Sequence, residues 1–256
     1  MPDPVAALGK AGTWLALVVV AVVAWLFLVA SEAAMASMQG DGLITQLMWR
    51  MMAPQAAGSY LVAAITMWVV MMIAMMIPAA VPMAAIYHAL PQVRALRWAT
   101  LAFVTGYLAA WTAFALLAAA LQWWLHAGGW LHGMQIATEG VLTGAILIAA
   151  GLYQLTPVKL ACLARCRSPL SFFMQHWRDG RLGALYMGAW HGLFCIGCCW
   201  VLMLLMFAGG AMSVLTMALL SLFILAERVL PAGPWVAKLP GLALIVGGVL
   251  LLVAID

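Results

Sequence analysis

All five cysteines of this 256-residue chain, Cys162, Cys166, Cys195, Cys198 and Cys199, fall in one short stretch. Three of them form the run Cys195-Ile196-Gly197-Cys198-Cys199, which begins one helical turn after His191. On a helix of about 100° per residue with His191 at zero, Cys195 lies at about 40°, Cys198 at about −20° and Cys199 at about 80°. An imidazole and three thiols would therefore share one helix face. Thiolate sulfur and imidazole nitrogen are the ligands that Cu(I) and Zn(II) prefer. A single cysteine in an apolar helix is ordinarily a small packing residue, and a lone histidine can simply bond a carbonyl. Four such side chains on one face point instead to a metal.

Cys162 and Cys166 are also one helical turn apart, in a segment with Lys159, Arg165 and Arg167 whose positive charges favour thiolate. Two thiols are an incomplete zinc site but are enough for near-linear Cu(I). Met67, Met71 and Met75 recur every four residues, with Met72 and Met76 on the adjacent face. Thioethers bind Cu(I) without burying a charge, and they also pack well in any apolar core. Met71 and Met75 join the candidate ligands on this ground. Met187, Met203 and Met206 are expected to flank the cysteine face. Pro78 and Pro82 should kink the methionine helix and free backbone carbonyls in it.

The elements that position these side chains must be membrane helices. Hydrophobic residues make up 68% of the chain and charged residues 7%, with 13 Trp, 19 Met and a mean hydropathy of +1.13. A soluble domain is only about half apolar and about a quarter charged. The net charge of +4, from 11 basic and 7 acidic residues, is far too small for a phosphate-binding face, which excludes nucleic acid as a partner. A helix needs about 20 apolar residues to cross the hydrocarbon core. Seven apolar runs approach that length: 14–30, 59–86, 98–124, 140–156, 183–207, 212–225 and 241–254. The first is too long for the apolar core of a cleaved signal and reads as a retained helix.

With the N-terminus inside, ten of the eleven Lys and Arg residues become cytoplasmic and only Arg50 lies outside. The expected fold class is thus all-α: a polytopic transmembrane bundle of about seven helices, N-terminus in and C-terminus out, with 1–256 as a single integral membrane domain. An outer segment, 32–58, would lie in the interface, and Trp123, Trp124 and Trp130 would anchor the same side. Gln122, Glu139, Gln154 and Glu227 could line a path. Glu227 is expected at the inner interface, paired with Arg228 or Lys238, and His126 and His132 in an exposed outer loop.

Three stretches together resemble a bacterial family described as predicted metal-binding integral membrane proteins. They are Met67-Trp68 with the doubled methionines before Pro78; Tyr153-Gln154-x-x-Pro157-x-Lys159-x-x-Cys162-x-x-x-Cys166-Arg167-Ser168-Pro169; and His191-Gly192-x-x-Cys195-x-Gly197-Cys198-Cys199-Trp200. The resemblance covers roughly 67–231. Thr216 departs from it, standing where the family has an aromatic residue. The resemblance implies a metal without naming which.

The leading expectation is an inner-membrane protein of a bacterium that binds or moves a soft metal ion, Cu(I) ahead of Zn(II). His191, Cys195, Cys198 and Cys199 would hold it, with Met71, Met75, Cys162 and Cys166 as neighbouring relay sites. Its partners would be the lipid bilayer, the metal and a protein that donates or receives the metal. No nucleotide-binding motif or Asp-phosphorylation signature is present, which excludes a primary pump. Two other classes stay open: an intramembrane thiol-disulfide oxidoreductase using Cys195 and Cys198, and an accessory subunit of a larger complex in which Met and Cys only pack. The sequence sets no oligomeric state; Gly197, Gly209 and Gly210 would permit close helix contacts within or between chains.

Overall fold

A computed structural model describes residues 4–37, 39, 41–94, 98–230 and 235–255. Arg97, one of the ten basic residues counted as cytoplasmic, and Pro231, the end of the family-like stretch, lie outside the described residues, as do the side chains of Lys10 and Arg94. The described chain is all-helical: α1 (Pro4–Ser37), α2 (Leu43–Met51), α3 (Ala57–Ala89), α4 (Pro91–Arg94), α5 (Ala99–Ala127), α6 (Gly140–Gln154), α7 (Pro157–Arg167), α8 (Pro169–His176), α9 (Gly180–Gly209), α10 (Val214–Val229) and α11 (Trp235–Val253).

Four stretches are long and apolar enough to cross a membrane: Gly12–Ser37, Ala57–Ala89, Ala99–Ala127 and Gly180–Gly209. A fifth arises if α6 and α7, bent by 62° at their junction, count as one. The bend sits where Pro157 must end α6: proline cannot continue the hydrogen-bond ladder, and Thr156 caps the new helix by accepting from the Lys159 backbone N–H at 3.3 Å. Two of the seven expected spans fall short. Helix α10 has 16 residues, about 24 Å of rise, and the apolar part of α11 is Lys238–Val253.

The helices alternate in direction between two ends. At one end the Trp123 indole donates to the Pro54 carbonyl, and the Thr138 and Ala211 amides donate to the Phe207 and Ile136 carbonyls. The other end holds α7 and α8, and there His88 of α3 bonds Thr100 of α5 at 2.8 Å. Close approach of α5 and α9 depends on glycine. A Cβ on Gly188 would run into the Phe103 carbonyl, and one on Gly106 into that of Leu185. Gly197, Gly209 and Gly210 are each occupied from within the chain, by Cys162, Thr216 and Gln135. Thr216, lacking the bulk of an aromatic residue, fits against Gly209 and donates to its carbonyl at 3.0 Å.

Pro78 and Pro82 lie inside α3, and its neighbours bond carbonyls in that segment. Pro78 has no N–H to give the Ala74 carbonyl, and the Trp25 indole of α1 donates to it at 3.1 Å. From α10, Ser221 donates to the Met75 carbonyl at 3.4 Å and Arg228 to that of Ala79 at 2.8 Å. Seven residues apart, these two share one face of α10.

Two expectations about polar side chains are corrected. Glu227 is 2% exposed rather than interfacial, and it pairs with Lys159 at 2.6 Å, not with Arg228 or Lys238. Gln154 donates to the same carboxylate at 2.8 Å and accepts from Lys159. His126 is half-buried at the end of α5, 3.0 Å from the Tyr60 hydroxyl, which in turn accepts from Gln122. Lys159→Met should cost about 3–5 kcal/mol in detergent unfolding experiments, because it strands a buried carboxylate. The Lys159→Met/Glu227→Met double variant should lose less than either single one; additive losses would contradict this.

Candidate metal centre

Helix α9 carries the centre in its buried middle. His191, Cys195, Cys198 and Cys199 are all 2% exposed or less. The Cys198 and Cys199 thiols both turn back onto the Cys195 carbonyl, at 3.1 and 2.9 Å, the bonding habit of short polar side chains within a helix. This draws the three sulfur atoms together, all within 4.8 Å of one another. No disulfide joins any of the five cysteines, which are free thiols.

Other elements close around this group. Cys166 of α7 is buried and belongs to the same core cluster as the three thiols, so a fourth sulfur lies on the α7 side. Cys162 is half-buried, and its sulfur occupies the space that a Cβ on Gly197 would need. The Tyr107 hydroxyl of α5 lies 3.0 Å from the Cys195 sulfur. Met71 and Met75 are 2% and 0% exposed and belong to the same core cluster as the three thiols, as do Met203 and Met206. Met187 does not flank the cysteines as expected. It belongs to a second cluster with Tyr87, Phe103, Phe172 and Phe173.

His191 stands apart from the sulfur group. Its ring stacks on Tyr107 and Phe103, at 5.5 and 6.0 Å between centroids, and meets Phe172 edge-on at 5.5 Å. Both ring nitrogens are buried without a hydrogen-bond partner. A buried imidazole with no partner is costly, so this box of aromatic rings holds a donor atom pair that a ligand would satisfy.

The cations expected beside Cys162 and Cys166 are engaged elsewhere. Lys159 is held by Glu227 and Gln154, Arg165 lies over the Phe194 ring at 4.6 Å, and Arg167 donates to the Leu230 carbonyl. The cation on the thiols is Arg228 of α10, 9% exposed, whose Nη2 donates to the Cys195 sulfur and lies 3.9 Å from that of Cys198. Sequence reasoning missed it because Arg228 counts as a loop residue in the positive-inside tally. Its seven-residue spacing from Ser221, on a face with Met217 and Ile224, is the signal that it points inward.

The donor set suits copper as a cargo. Three soft sulfur atoms converge in a buried place, with a fourth thiol in the same core cluster, while the described residues bring no carboxylate into the group. Neither a curated protein nor a solved structure matches the chain. A family model described as a copper chaperone, PpoB2, matches residues 65–251, a stretch that includes α9, all five cysteines and the methionine-rich part of α3. That stretch is well over half of the chain, which therefore belongs to the PpoB2 copper chaperone family.

Proposed function

We propose that this chain is an integral protein of the bacterial inner membrane that holds Cu(I) on Cys195, Cys198 and Cys199 and delivers it to another protein or moves it within the membrane. The convergence of three buried free thiols carries this reading. Cu(I) is favoured over Zn(II) because a structural zinc site closes with four ligands, whereas Cu(I) is content with two or three soft ones. Cys166 and then the half-buried Cys162 continue the sulfur path toward the end of the bundle that carries Arg165, Arg178 and Arg181. That end faces the cytoplasm in this reading, with the N-terminus on the same side and the C-terminus outside.

Transfer along such a path is ligand exchange. An incoming sulfur adds to two-coordinate Cu(I) before the outgoing one leaves, and no oxidation step is involved. Met71 and Met75 supply neutral sulfur on the α3 side, and His191 supplies an unpartnered nitrogen on the α5 side. The lipid bilayer surrounds the exposed apolar faces, and a metal-donating or metal-receiving protein completes the route.

Cys198→Ser/Cys199→Ser should leave the protein folded and inserted while lowering its copper-to-protein ratio severalfold, measured by elemental analysis after reductive loading with Cu(I). Serine keeps the size but exchanges soft sulfur for hard oxygen. A double variant that purifies normally and keeps all its copper would refute the site. The orientation has its own check. A membrane-impermeant maleimide should label Cys162 in inverted vesicles and not in right-side-out ones, and labelling in right-side-out vesicles would reverse the topology.

A further inference from the structure

Arg228 presents an unusual charge problem. It is 9% exposed, donates Nη1 to the Ala79 carbonyl and Nη2 to the Cys195 sulfur, and its Nε has no partner. The carboxylate next to it in sequence, Glu227, is already committed to Lys159 and Gln154. Lys159 with Glu227 is the one ion pair among the described residues. The buried group Lys159, Glu227 and Arg228 therefore carries one positive charge in excess. An unmatched buried cation is strongly unfavourable, and the atoms beside it that can become anionic are the thiols.

Resting on the reading of the thiols as a copper site, we propose that Arg228 is the built-in counter-charge of that site and the residue that sets which metal–thiolate unit it prefers. Cu(I) on two thiolates carries a single negative charge and is matched by one guanidinium. A divalent ion on two thiolates is neutral and leaves Arg228 unmatched; it reaches the same charge only by taking all three thiolates. Arg228 is positioned to do this because Ser221 and its own Nη1 fasten α10 to the Met75 and Ala79 carbonyls of α3. It acts on the metal through the sulfur atoms and is not itself a ligand.

The test is Cu(I) affinity of the full-length protein in detergent, measured by competition with bicinchoninate, for wild type, Arg228→Gln, Arg228→Met and Arg228→Lys. Loss of the charge in Arg228→Gln should weaken Cu(I) binding by about tenfold to hundredfold, the range for losing a hydrogen bond to a charged group. Arg228→Met serves if the glutamine variant misfolds, since it buries no unpaired amide. Arg228→Lys keeps the charge and should recover affinity to within about threefold of wild type, even if its melting temperature is as low as that of the glutamine variant. That split separates counter-charge from scaffolding. Wild-type affinity in Arg228→Gln or Arg228→Met, or a lysine variant as weak as they are, would overturn the counter-charge role while leaving the copper site standing. A wild-type protein that binds no Cu(I) would remove both.

Discussion

Polar groups buried in a chain this apolar depend on partners within the chain, because the apolar side chains around them offer none. That constraint organises the molecule. The two prolines of α3 interrupt its hydrogen-bond ladder, and Trp25, Ser221 and Arg228 bring α1 and α10 onto the carbonyls in that segment. The same need holds α6, α7 and α10 together through Gln154, Lys159 and Glu227. Arg228 joins the first of these connections to the thiol group, since it donates to the Cys195 sulfur, which the Tyr107 hydroxyl also meets. The candidate copper site thus lies where several helices converge.

Much of this was legible in the sequence. Composition and the lengths of apolar runs identify an all-helical chain. The 100° geometry of a helix places Cys195, Cys198 and Cys199 on one face, and the structure brings their sulfur atoms together. Periodicity along α10 can mark its inward face but not the helix that face meets, so the charge tally puts Arg228 with the cytoplasmic cations and Glu227 at the inner interface. Both lie near the end of an apolar run, where snorkelling to the interface and burial against a partner look alike in sequence. His191 shows the same limit. It shares the cysteine face in projection, yet the aromatic rings of α5 and α8 hold its ring outside the sulfur group. Of the seven apolar runs, four stretches, or five with the pair bent by 62° at Pro157, are long and apolar enough to cross a membrane, and α10 stops after 16 residues.

Membership of a copper chaperone family and the chemistry of the buried thiols arrive at the same metal from independent directions. A chaperone must hold its ion firmly and still release it. In the proposed reading, Cys166 in the same buried cluster and Cys162 in a gap that only glycine leaves open are the sulfur atoms that would take part in that release. The glycine spine between α5 and α9 contributes indirectly, since the approach at Gly188 and Gly106 is what sets Tyr107 against Cys195 and against the His191 ring.

The central claim is that sulfur from α9 holds copper in its reduced form. X-ray absorption at the copper edge of the Cu(I)-loaded, full-length protein reads the ligand atoms directly. The account predicts a first shell dominated by two or three sulfur atoms and an edge characteristic of Cu(I). A shell made mainly of nitrogen or oxygen would contradict it.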